Sequence, residues 1–407
     1  MKSIFIVGLL YLSGLFIGLD DNKDEPIELD VQKVLEKGHD INLSEYAVSI
    51  EYIPFETKSE TLLGWVNLFD TDGRNYYCAT AHKSDNISVF DENGKYVRKI
   101  GNKGRGPKEY QTLAKFSVEK NKYGAVEIGV SGNTECVVYD GNNNYLKGIK
   151  FKDLKNSSGN IYLGCAKYNA DGSYLLLGSA FVRPYGIKEV LYTIDRYGNI
   201  CDSLDLGGTT TYRQSTVIPG YGERKIKVLS PSSLYLFDNH LRLFKGSADT
   251  LFFLDDELNK TAAFLLSYGK YLEEEDFRIG VDNILETENF LILKYYADLK
   301  RFKAICNPIH SDNNARVGVL VYDKKEKTFK ALRYNNTFNT LGFVNDLDNG
   351  APFVPQFARN GKVYQFIDAV KFIDMAQKSS SSKMKEVAAE LTEESNPVLV
   401  VVTLKRY

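Results

Sequence analysis

Residues 86–110, NISVFDENGKYVRKIGNKGRGPKEY, decide the fold of this chain of 407 residues. An alternating strand that contains Ile87 and Val89 leads into an Asp-x-x-Gly turn at residues 91–94. A second strand follows at residues 96–100, and a glycine-rich loop then covers residues 101–110. The strand–turn–strand half of this unit recurs at wide spacing along the chain. Radial repetition of small antiparallel sheets is how a β-propeller is built.

The recurrent element is an apolar pair, an aspartate and a polar turn. Its aspartates lie 49, 55, 60 and 68 residues apart, at Asp91, Asp140, Asp195, Asp255 and Asp323. Five copies indicate at least five blades, and a further strand, VLVVVTL at residues 398–404, lacks the aspartate. Residues 42–407 divided over six blades give 61 residues a blade, so long loops are expected. The sequence therefore predicts an all-β fold, a six-bladed β-propeller with four-stranded antiparallel blades.

The two ends of the predicted propeller contain the segments that close its ring. Residues 46–56 and 398–404 are each hydrophobic enough to aggregate as free edges, so we expect them to pair with one another. Residues 367–377 and 383–394 have helical composition and are separated by a run of serines. The sequence thus predicts a small helical insertion before the last strand.

The amino terminus has the pattern of a secretion signal. Lys2 precedes residues 4–19, which carry no charge, and an acidic run begins at Asp20. As a helix the apolar run spans about 24 Å, short of the ~30 Å core of a bilayer, which favours a signal peptide over an anchor. Residues 12–14 resemble a bacterial lipobox, but Leu15 replaces its cysteine. Cleavage by the ordinary signal peptidase and an uncleaved anchor both remain open.

We therefore predict three segments. Residues 1–19 are a signal peptide that is lipobox-like but lacks the cysteine, residues 20–41 are a linker, and residues 42–407 are the propeller. Export places the protein in the periplasm or at the cell surface of a Gram-negative bacterium, associated with the outer membrane. Contact with a membrane is expected only through the amino terminus, if it is uncleaved or is lipidated in the parent protein.

Composition argues against several classes of function. The chain has 51 basic and 53 acidic residues, a net charge of −2, so no bulk field attracts nucleic acid. Five cysteines show no C-x-x-C spacing and four histidines are isolated, so no zinc cluster is predicted. Neither G-x-S-x-G nor H-E-x-x-H occurs, which leaves a hydrolytic triad without support. The 27 tyrosines and 23 phenylalanines are typical of β-sheets and also of surfaces that contact carbohydrate or peptide.

Residues 86–110 resemble the NHL-type propeller repeat, a strand pair N-x-I-x-V-F-D-x-x-G-K followed by G-x-x-G-x-G-P-x-[EQ]-[FY]. The matching residues are Asn86, Ile87, Val89, Phe90, Asp91, Gly94, Gly101, Gly104, Gly106, Pro107, Glu109 and Tyr110. Other motifs are similar to those of exported six-bladed propeller proteins of Bacteroidetes: the lipobox-like start, residues 247–252 (SADTLF), residues 345–350 (NDLDNG) and residues 396–399 (NPVL). The resemblance covers residues 42–407. It implies a fold and names no activity.

The glycine-rich loop is the first candidate ligand site. Its glycines allow a ligand to approach the backbone, and Arg105 has the geometry to bind a carboxylate or phosphate, beside Glu109 and Tyr110. A phosphate-binding loop precedes a helix, however, whereas strand residues follow here. The alternative is a crossover between blades in which Arg105 and Glu109 form local hydrogen bonds.

Oxygen-bearing side chains and one arginine are the remaining candidates. Asp249, Asn345, Asp346 and Asp348 are suitable Ca²⁺ ligands, although aspartate and asparagine also cap turns. No cofactor is expected, and Ca²⁺ or another divalent ion is the alternative. Arg242 lies in a strand-like run, where it would either line the channel or face outward.

The function we predict is that of a binding or scaffold protein of the cell envelope, rather than an enzyme, that recognises a glycan, a peptide or an envelope protein through the central funnel. The alternative is a metal-dependent hydrolase or lactonase of the six-bladed type, which requires oxygen ligands that converge at the channel.

Overall fold

The computed structural model describes residues 25–132, 135–150, 161–168, 171, 173–182, 186–206, 215–218, 222–225, 232–237, 240–245, 249–255, 257–272, 279–297, 305 and 316–406. The predicted signal peptide, residues 1–19, lies outside them. None of the helices in the described part of the chain is both long and apolar enough to span a membrane.

The amino-terminal segment precedes the first complete blade. Its elements are β1 (Ile27–Asp30), α1 (Val31–Leu35), β2 (Gly38–His39), a 3-10 turn (Leu43–Glu45) and β3 (Ala47–Pro54).

The first three blades follow in chain order, each a four-stranded antiparallel sheet. Blade 1 contains β4 (Leu68–Thr71), β5 (Asn75–Ala79), β6 (Ile87–Asp91) and β7 (Tyr96–Ile100). Blade 2 contains β8 (Lys115–Lys120), β9 (Val126–Ser131), β10 (Glu135–Asp140) and β11 (Tyr145–Lys150). Blade 3 contains β12 (Ile161–Tyr168), β13 (Tyr174–Val182), β14 (Gly186–Ile194) and β15 (Ile200–Asp205). A two-stranded hairpin of β16 (Ser215–Ile218) and β17 (Gly222–Lys225) comes next.

The other three blades complete the ring. Blade 4 contains β18 (Ser233–Phe237), β19 (His240–Lys245), β20 (Thr250–Leu254) and β21 (Lys260–Ser267), followed by a 3-10 turn (Gly269–Leu272). Blade 5 contains β22 (Ile279–Glu286), β23 (Phe290–Ala297), β24 (Arg316–Asp323) and β25 (Thr328–Leu332). A short hairpin of β26 (Tyr334–Asn335) and β27 (Thr340–Leu341) leads to blade 6, which contains β28 (Phe357–Arg359), β29 (Lys362–Ile367), β30 (Val398–Leu404) and the distant β3.

The predicted six-bladed propeller is confirmed. The innermost strands contact one another in a closed circle, in the order β4, β8, β12, β18, β22, β28 and back to β4. The ring closes where predicted, because β30 pairs with β29 on one side and with β3 on the other. One sheet thus contains strands from both ends of the propeller.

The core lies in the gaps between blades. Because successive side chains of a strand point to opposite faces, each strand contributes side chains to the gaps on both sides of its blade. In β5, Tyr77 and Ala79 pack toward blade 2, whereas Tyr76 and Cys78 pack toward blade 6. The described residues form six such clusters, one for each gap.

The recurrent aspartate caps the turn between the third and fourth strands of a blade. The carboxylate of Asp140 accepts hydrogen bonds from the backbone N–H groups of Asn142 (2.9 Å) and Asn144 (2.7 Å). Asp195 forms the same two bonds and also accepts one from Nδ2 of Asn199 (2.9 Å). A carboxylate that satisfies backbone donors stabilises a tight turn. The recurrent aspartates that predicted the fold are therefore the residues that cap the same turn in successive blades.

Part of the predicted linker belongs to the propeller. Strand β1 adds in parallel to the outer strand of blade 4, and β2 adds in parallel to the outer strand of blade 5. Helix α1 lies between them and buries Val31 and Leu35 in the gap between those blades. Residues 27–39 therefore run along the outer edges of two blades before β3 joins blade 6, and the prediction of a linker does not describe them.

The predicted helical insertion is confirmed between β29 and β30. It consists of α2 (Ala369–Lys378) and α3 (Ser382–Ala389), which begin after the capping residues Asp368 and Ser381. Phe372 and Met375 of α2 are fully buried in the core between blades 5 and 6. The insertion thus packs on the blades that flank the ring closure.

Ring closure gives the first testable expectation. Val402 is fully buried in β30 and pairs with Ile50 and Val363, whereas Val48 of β3 is 60% exposed. We expect Val402→Asp to destabilise the protein by more than ~4 kcal/mol, because a charge is buried without a partner. Val48→Asp is the matched control and should melt close to the wild type. Equal melting temperatures of the two variants by circular dichroism would contradict this closure.

The turn caps give a pH dependence. The hydrogen bond from Asn199 lowers the pKa of Asp195 below its ordinary value of 3.8, and the bond from Asn259 does the same to Asp255. A carboxyl whose pKa is lower in the folded state stabilises the fold at any pH above its unfolded-state pKa. This stabilisation is lost as the pH falls through the folded-state pKa. We expect the wild type to melt above the Asp195→Asn/Asp255→Asn variant at neutral pH, with a difference that shrinks below pH 3.8. A difference that does not change with pH would rule out this contribution.

Candidate functional site

The glycine-rich loop is a crossover from blade 1 to blade 2. Tyr110 is fully buried and donates a hydrogen bond to the carbonyl oxygen of Asp85 (2.9 Å). Glu109 accepts a bond from the backbone N–H of Gly106 (2.8 Å). Gly101 has a φ of +67°, and a Cβ there would lie 2.5 Å from the ring of Tyr110. The glycine, the glutamate and the tyrosine thus build the loop itself, and of the three predicted ligand residues Arg105, Glu109 and Tyr110 only Arg105 is exposed.

Arg242 takes part in a buried cluster between blades 4 and 5. Its Nε lies 3.2 Å from Oε2 of Glu286, whose side chain is fully buried, and Nζ of Lys324 lies 2.7 Å from Oε1 of the same carboxylate. The hydroxyl of Tyr235 donates to Oε2 of Glu286 at 2.9 Å. Burial lowers the pKa of Lys324, although Glu286 opposes the shift. This cluster joins two blades through one shared carboxylate.

The four predicted oxygen ligands have different partners, except that Asn345 and Asp348 contact each other. Asp249 accepts a hydrogen bond from the hydroxyl of Tyr268 (3.1 Å), within blade 4. Nδ2 of Asn345 donates to the hydroxyl of Tyr52 (3.0 Å), and Asp346 accepts from the backbone N–H of Ser44 (2.9 Å). Within the described residues no three histidine, cysteine, aspartate or glutamate side chains are placed to hold a metal ion.

The motif at residues 345–350 anchors the helical insertion. Nδ2 of Asn345 donates to Oδ1 of Asp348 (2.7 Å), and Oδ2 of Asp348 accepts from the hydroxyl of Ser381 (2.6 Å), the residue that caps α3. The ring of Tyr52 packs edge-on against Phe372 of α2 (5.6 Å between centroids). Of the residues predicted to bind an ion, Asn345 and Asp348 thus connect the insertion to β3, whereas Asp249 and Asp346 do not.

A cleft of about 240 Å³ lies where blades 5, 6 and 1 meet. We call it the Trp65 cleft. It contains residues that lead into the inner strands of blades 6 and 1 and residues on the face of blade 5. Its lining residues are Trp65, Val66, Asn67, Asn283, Leu285, Ile292, Lys294, Val319, Val354, Pro355, Gln356 and Phe357.

Trp65 presents a large aromatic surface at this cleft. It is the only tryptophan of the chain, and 74% of its surface is exposed. The hydroxyl of Thr80 donates to its carbonyl oxygen at 2.6 Å. An exposed tryptophan on a backbone held in this way offers contact area at a low cost in conformational entropy.

Asn396 holds the loop that carries Trp65. The side chain is 1% exposed; its Oδ1 accepts from the N–H of Leu63 (2.7 Å), and its Nδ2 donates to the carbonyl oxygens of Glu56 (2.8 Å) and Thr61 (2.9 Å). Asn396 directly precedes Pro397 and β30. The motif NPVL at residues 396–399 therefore connects the closing strand to the wall of the cleft.

Blade 5 supplies the polar side chains of the opposite wall. Lys294 of β23 pairs with Asn283 of β22 and with Val319 of β24, so these three side chains share one face. Leu285 and Ile292, paired on the same face, continue the row into the core between blades 5 and 6. Lys294 therefore follows an apolar row on this face and is itself part of the cleft lining.

The described residues that line the cleft do not balance its charge. Lys294 is the one ionisable residue among them, and its ammonium makes neither a hydrogen bond nor an ion pair with any other described residue. Gln356 uses its amide to bond the backbone of Phe366, and Asn67 accepts from the N–H of Ala81 (2.8 Å). Lys294, Asn283 and Trp65 are thus the side chains best placed to contact a ligand.

The structure therefore places the predicted site residues in several separate regions, and sequence reasoning missed the cleft. Two signals were available. Trp65 is unique in the chain, and Lys294 interrupts the otherwise uncharged strand FLILKYYA at residues 290–297. What the sequence does not show is that these two residues, 229 positions apart, lie at one cleft.

A closed ring of six antiparallel blades with a cleft beside the channel defines a six-bladed β-propeller. The chain belongs to the family described as a domain of unknown function, DUF4934, whose model matches residues 26–403. A comparison with curated proteins gives no match.

Among solved structures, the chain is similar to a protein of Bacteroides fragilis described as exported, with a TM-score of 0.65 and 16% identity over 94% of this chain and 100% of that one. A member of the DUF4221 family from Bacteroides vulgatus gives a TM-score of 0.47 and 13% identity over 91% and 99%. Virginiamycin B lyase from Staphylococcus aureus gives a TM-score of 0.38 and 11% identity, over 87% of this chain and 99% of that one. The resemblance to exported six-bladed propeller proteins of Bacteroidetes is confirmed by the family match and the B. fragilis structure.

The role of Asn396 can be measured directly. We expect Asn396→Ala to lower the free energy of unfolding by about 2–4 kcal/mol, because backbone groups of the loop lose buried partners. The fluorescence anisotropy of Trp65 should fall at the same time. Asn142→Ala, which removes an exposed amide in a turn of blade 2, is the control. An unchanged anisotropy in Asn396→Ala would show that the loop is held by other contacts.

Proposed function

We propose that the protein is an exported binding protein of the cell envelope that recognises its ligand at the Trp65 cleft. The observation that carries the proposal is that one concave site contains an exposed, anchored tryptophan and a lysine that forms no ion pair with any described residue. Ligand sites are concave and combine apolar walls with a few convergent polar groups, and this cleft does so.

Export is supported from two directions. Residues 2–19 have the pattern of a secretion signal, and the similar B. fragilis protein is described as exported. An envelope location is consistent with a ligand that is a glycan, a peptide or another envelope protein. A protein held at that location through its amino terminus would be tethered at the outer edge of blade 4, where β1 is paired.

The hydrolase alternative has no observation in its favour. Asp249, Asn345 and Asp346 are engaged by three different sets of partners, and they do not line the cleft. Lys294 is the only ionisable residue among those that line it, so an acid–base pair is not formed by its described walls.

The proposal is tested by screening the purified chain on glycan and peptide arrays and repeating each hit in solution. We expect hits to bind at least about tenfold more weakly to Trp65→Ala, because a stacking surface is lost. Tyr123→Ala is the matched control, since Tyr123 is 82% exposed on a turn of blade 2 and does not line the cleft. The proposal fails if hits bind Trp65→Ala as well as the wild type, or if neither array gives a hit.

A further inference from the structure

We infer that the ligand of the Trp65 cleft is an acidic sugar at the end of a glycan, whose carboxylate pairs with Lys294 and whose ring stacks on Trp65. This inference rests on the proposed function and narrows it to one chemical class.

The charge argument comes from a comparison among partly buried cations. Arg242 and Lys324 share the carboxylate of Glu286. Nη2 of Arg359 lies 3.3 Å from Oε2 of Glu119, and its Nε lies 3.5 Å from Asp70. Lys294 is also partly buried and, like the partly buried Lys330 and Lys362, forms no ion pair with any described residue; unlike those two, it lines the cleft. An ammonium group at the edge of an apolar wall gains most from an anionic partner, so the partner that this cleft lacks is best supplied by a ligand.

The size of the cleft favours an end group over a long chain. Ligand pockets for drug-sized molecules occupy about 300–1,000 Å³. The Trp65 cleft has about 240 Å³, which is enough for one ring and its substituents. A single sugar unit with a carboxylate at C6 fits that description.

The walls favour a sugar over a peptide carboxylate. Trp65 offers a flat apolar surface, which matches the C–H face of a pyranose ring. Asn283 is exposed beside Lys294 and has an amide that can both donate to and accept from ring hydroxyls. A free peptide carboxylate would use Lys294, but it offers the tryptophan a flat face only where the terminal residue is aromatic or proline.

The test uses methyl glycosides that differ only at C6. Methyl glucuronide and methyl galacturonide carry a carboxylate, whereas methyl glucoside and methyl galactoside carry a hydroxymethyl group. Binding is followed by the fluorescence of Trp65, the only tryptophan, and by calorimetry. We expect one uronide to bind at least about tenfold more tightly than its neutral partner, with an affinity that falls as salt is added.

Two variants assign the effect to Lys294. Lys294→Met removes the charge and should abolish the preference for the uronide, whereas Lys294→Arg should retain it. Lys122→Met, on a turn of blade 2, is the control for a change in net charge. Circular dichroism melting of each variant identifies any loss of fold.

Several results would overturn the inference. They are equal affinity for the uronide and its neutral partner, a preference that persists in Lys294→Met, and no response to any of the four glycosides. Tighter binding of a peptide with a free carboxyl terminus than of either uronide would also overturn it. If a neutral sugar or a peptide binds the wild type but not Trp65→Ala, the inference of an acidic sugar is wrong. The proposed function, ligand binding at the Trp65 cleft, would still hold.

Discussion

The rest of this structure depends on the pairing of β3 with β30, which joins the two ends of the propeller in one sheet. A ring of blades has no stable open form, because each blade buries its faces only against two neighbours. The same seam builds the candidate site. Trp65 and Asn67 follow β3 in the chain, Asn396 precedes β30, and the hydrogen bonds of Asn396 connect the two sides. The contacts that close the ring therefore also form the wall of the Trp65 cleft.

Charged side chains between blades fall into two groups. In the first, a cation and a carboxylate from different blades neutralise each other: Arg359 of β28 lies against Asp70 of β4 and Glu119 of β8, which ties three innermost strands together. The clustering of Arg242 and Lys324 around Glu286 does the same for blades 4 and 5. Buried pairs of this kind add little net stability compared with apolar residues, but the loss of one partner would leave the other charge buried and unsatisfied. Lys294 belongs to the second group, since its charge is not neutralised by any described residue.

The fold was predictable because its signals are local. The spacing of Asp91, Asp140, Asp195, Asp255 and Asp323 reports turn caps that each involve residues within four positions, and these can be read directly from a sequence. The pairing of the two ends was also predictable, since both segments are too hydrophobic to remain edges. The strands β1 and β2 were not recognised because they are short and pair in parallel with distant partners. The site was missed for a related reason: polar residues such as Asn345 and Asp346 indicate turns and caps as readily as ligands, and the meeting of Trp65 with Lys294 depends on the closed ring.

A crystal structure of the full chain with methyl glucuronide or methyl galacturonide bound would test the central claim most directly. The account predicts ordered density for the sugar in the Trp65 cleft, with the ring against Trp65 and the carboxylate within hydrogen-bonding distance of Nζ of Lys294. Density at another place, such as the crossover beside Arg105 or the cluster around Glu286, would contradict it. An empty cleft in crystals grown at a concentration that saturates the protein in solution would contradict it as well.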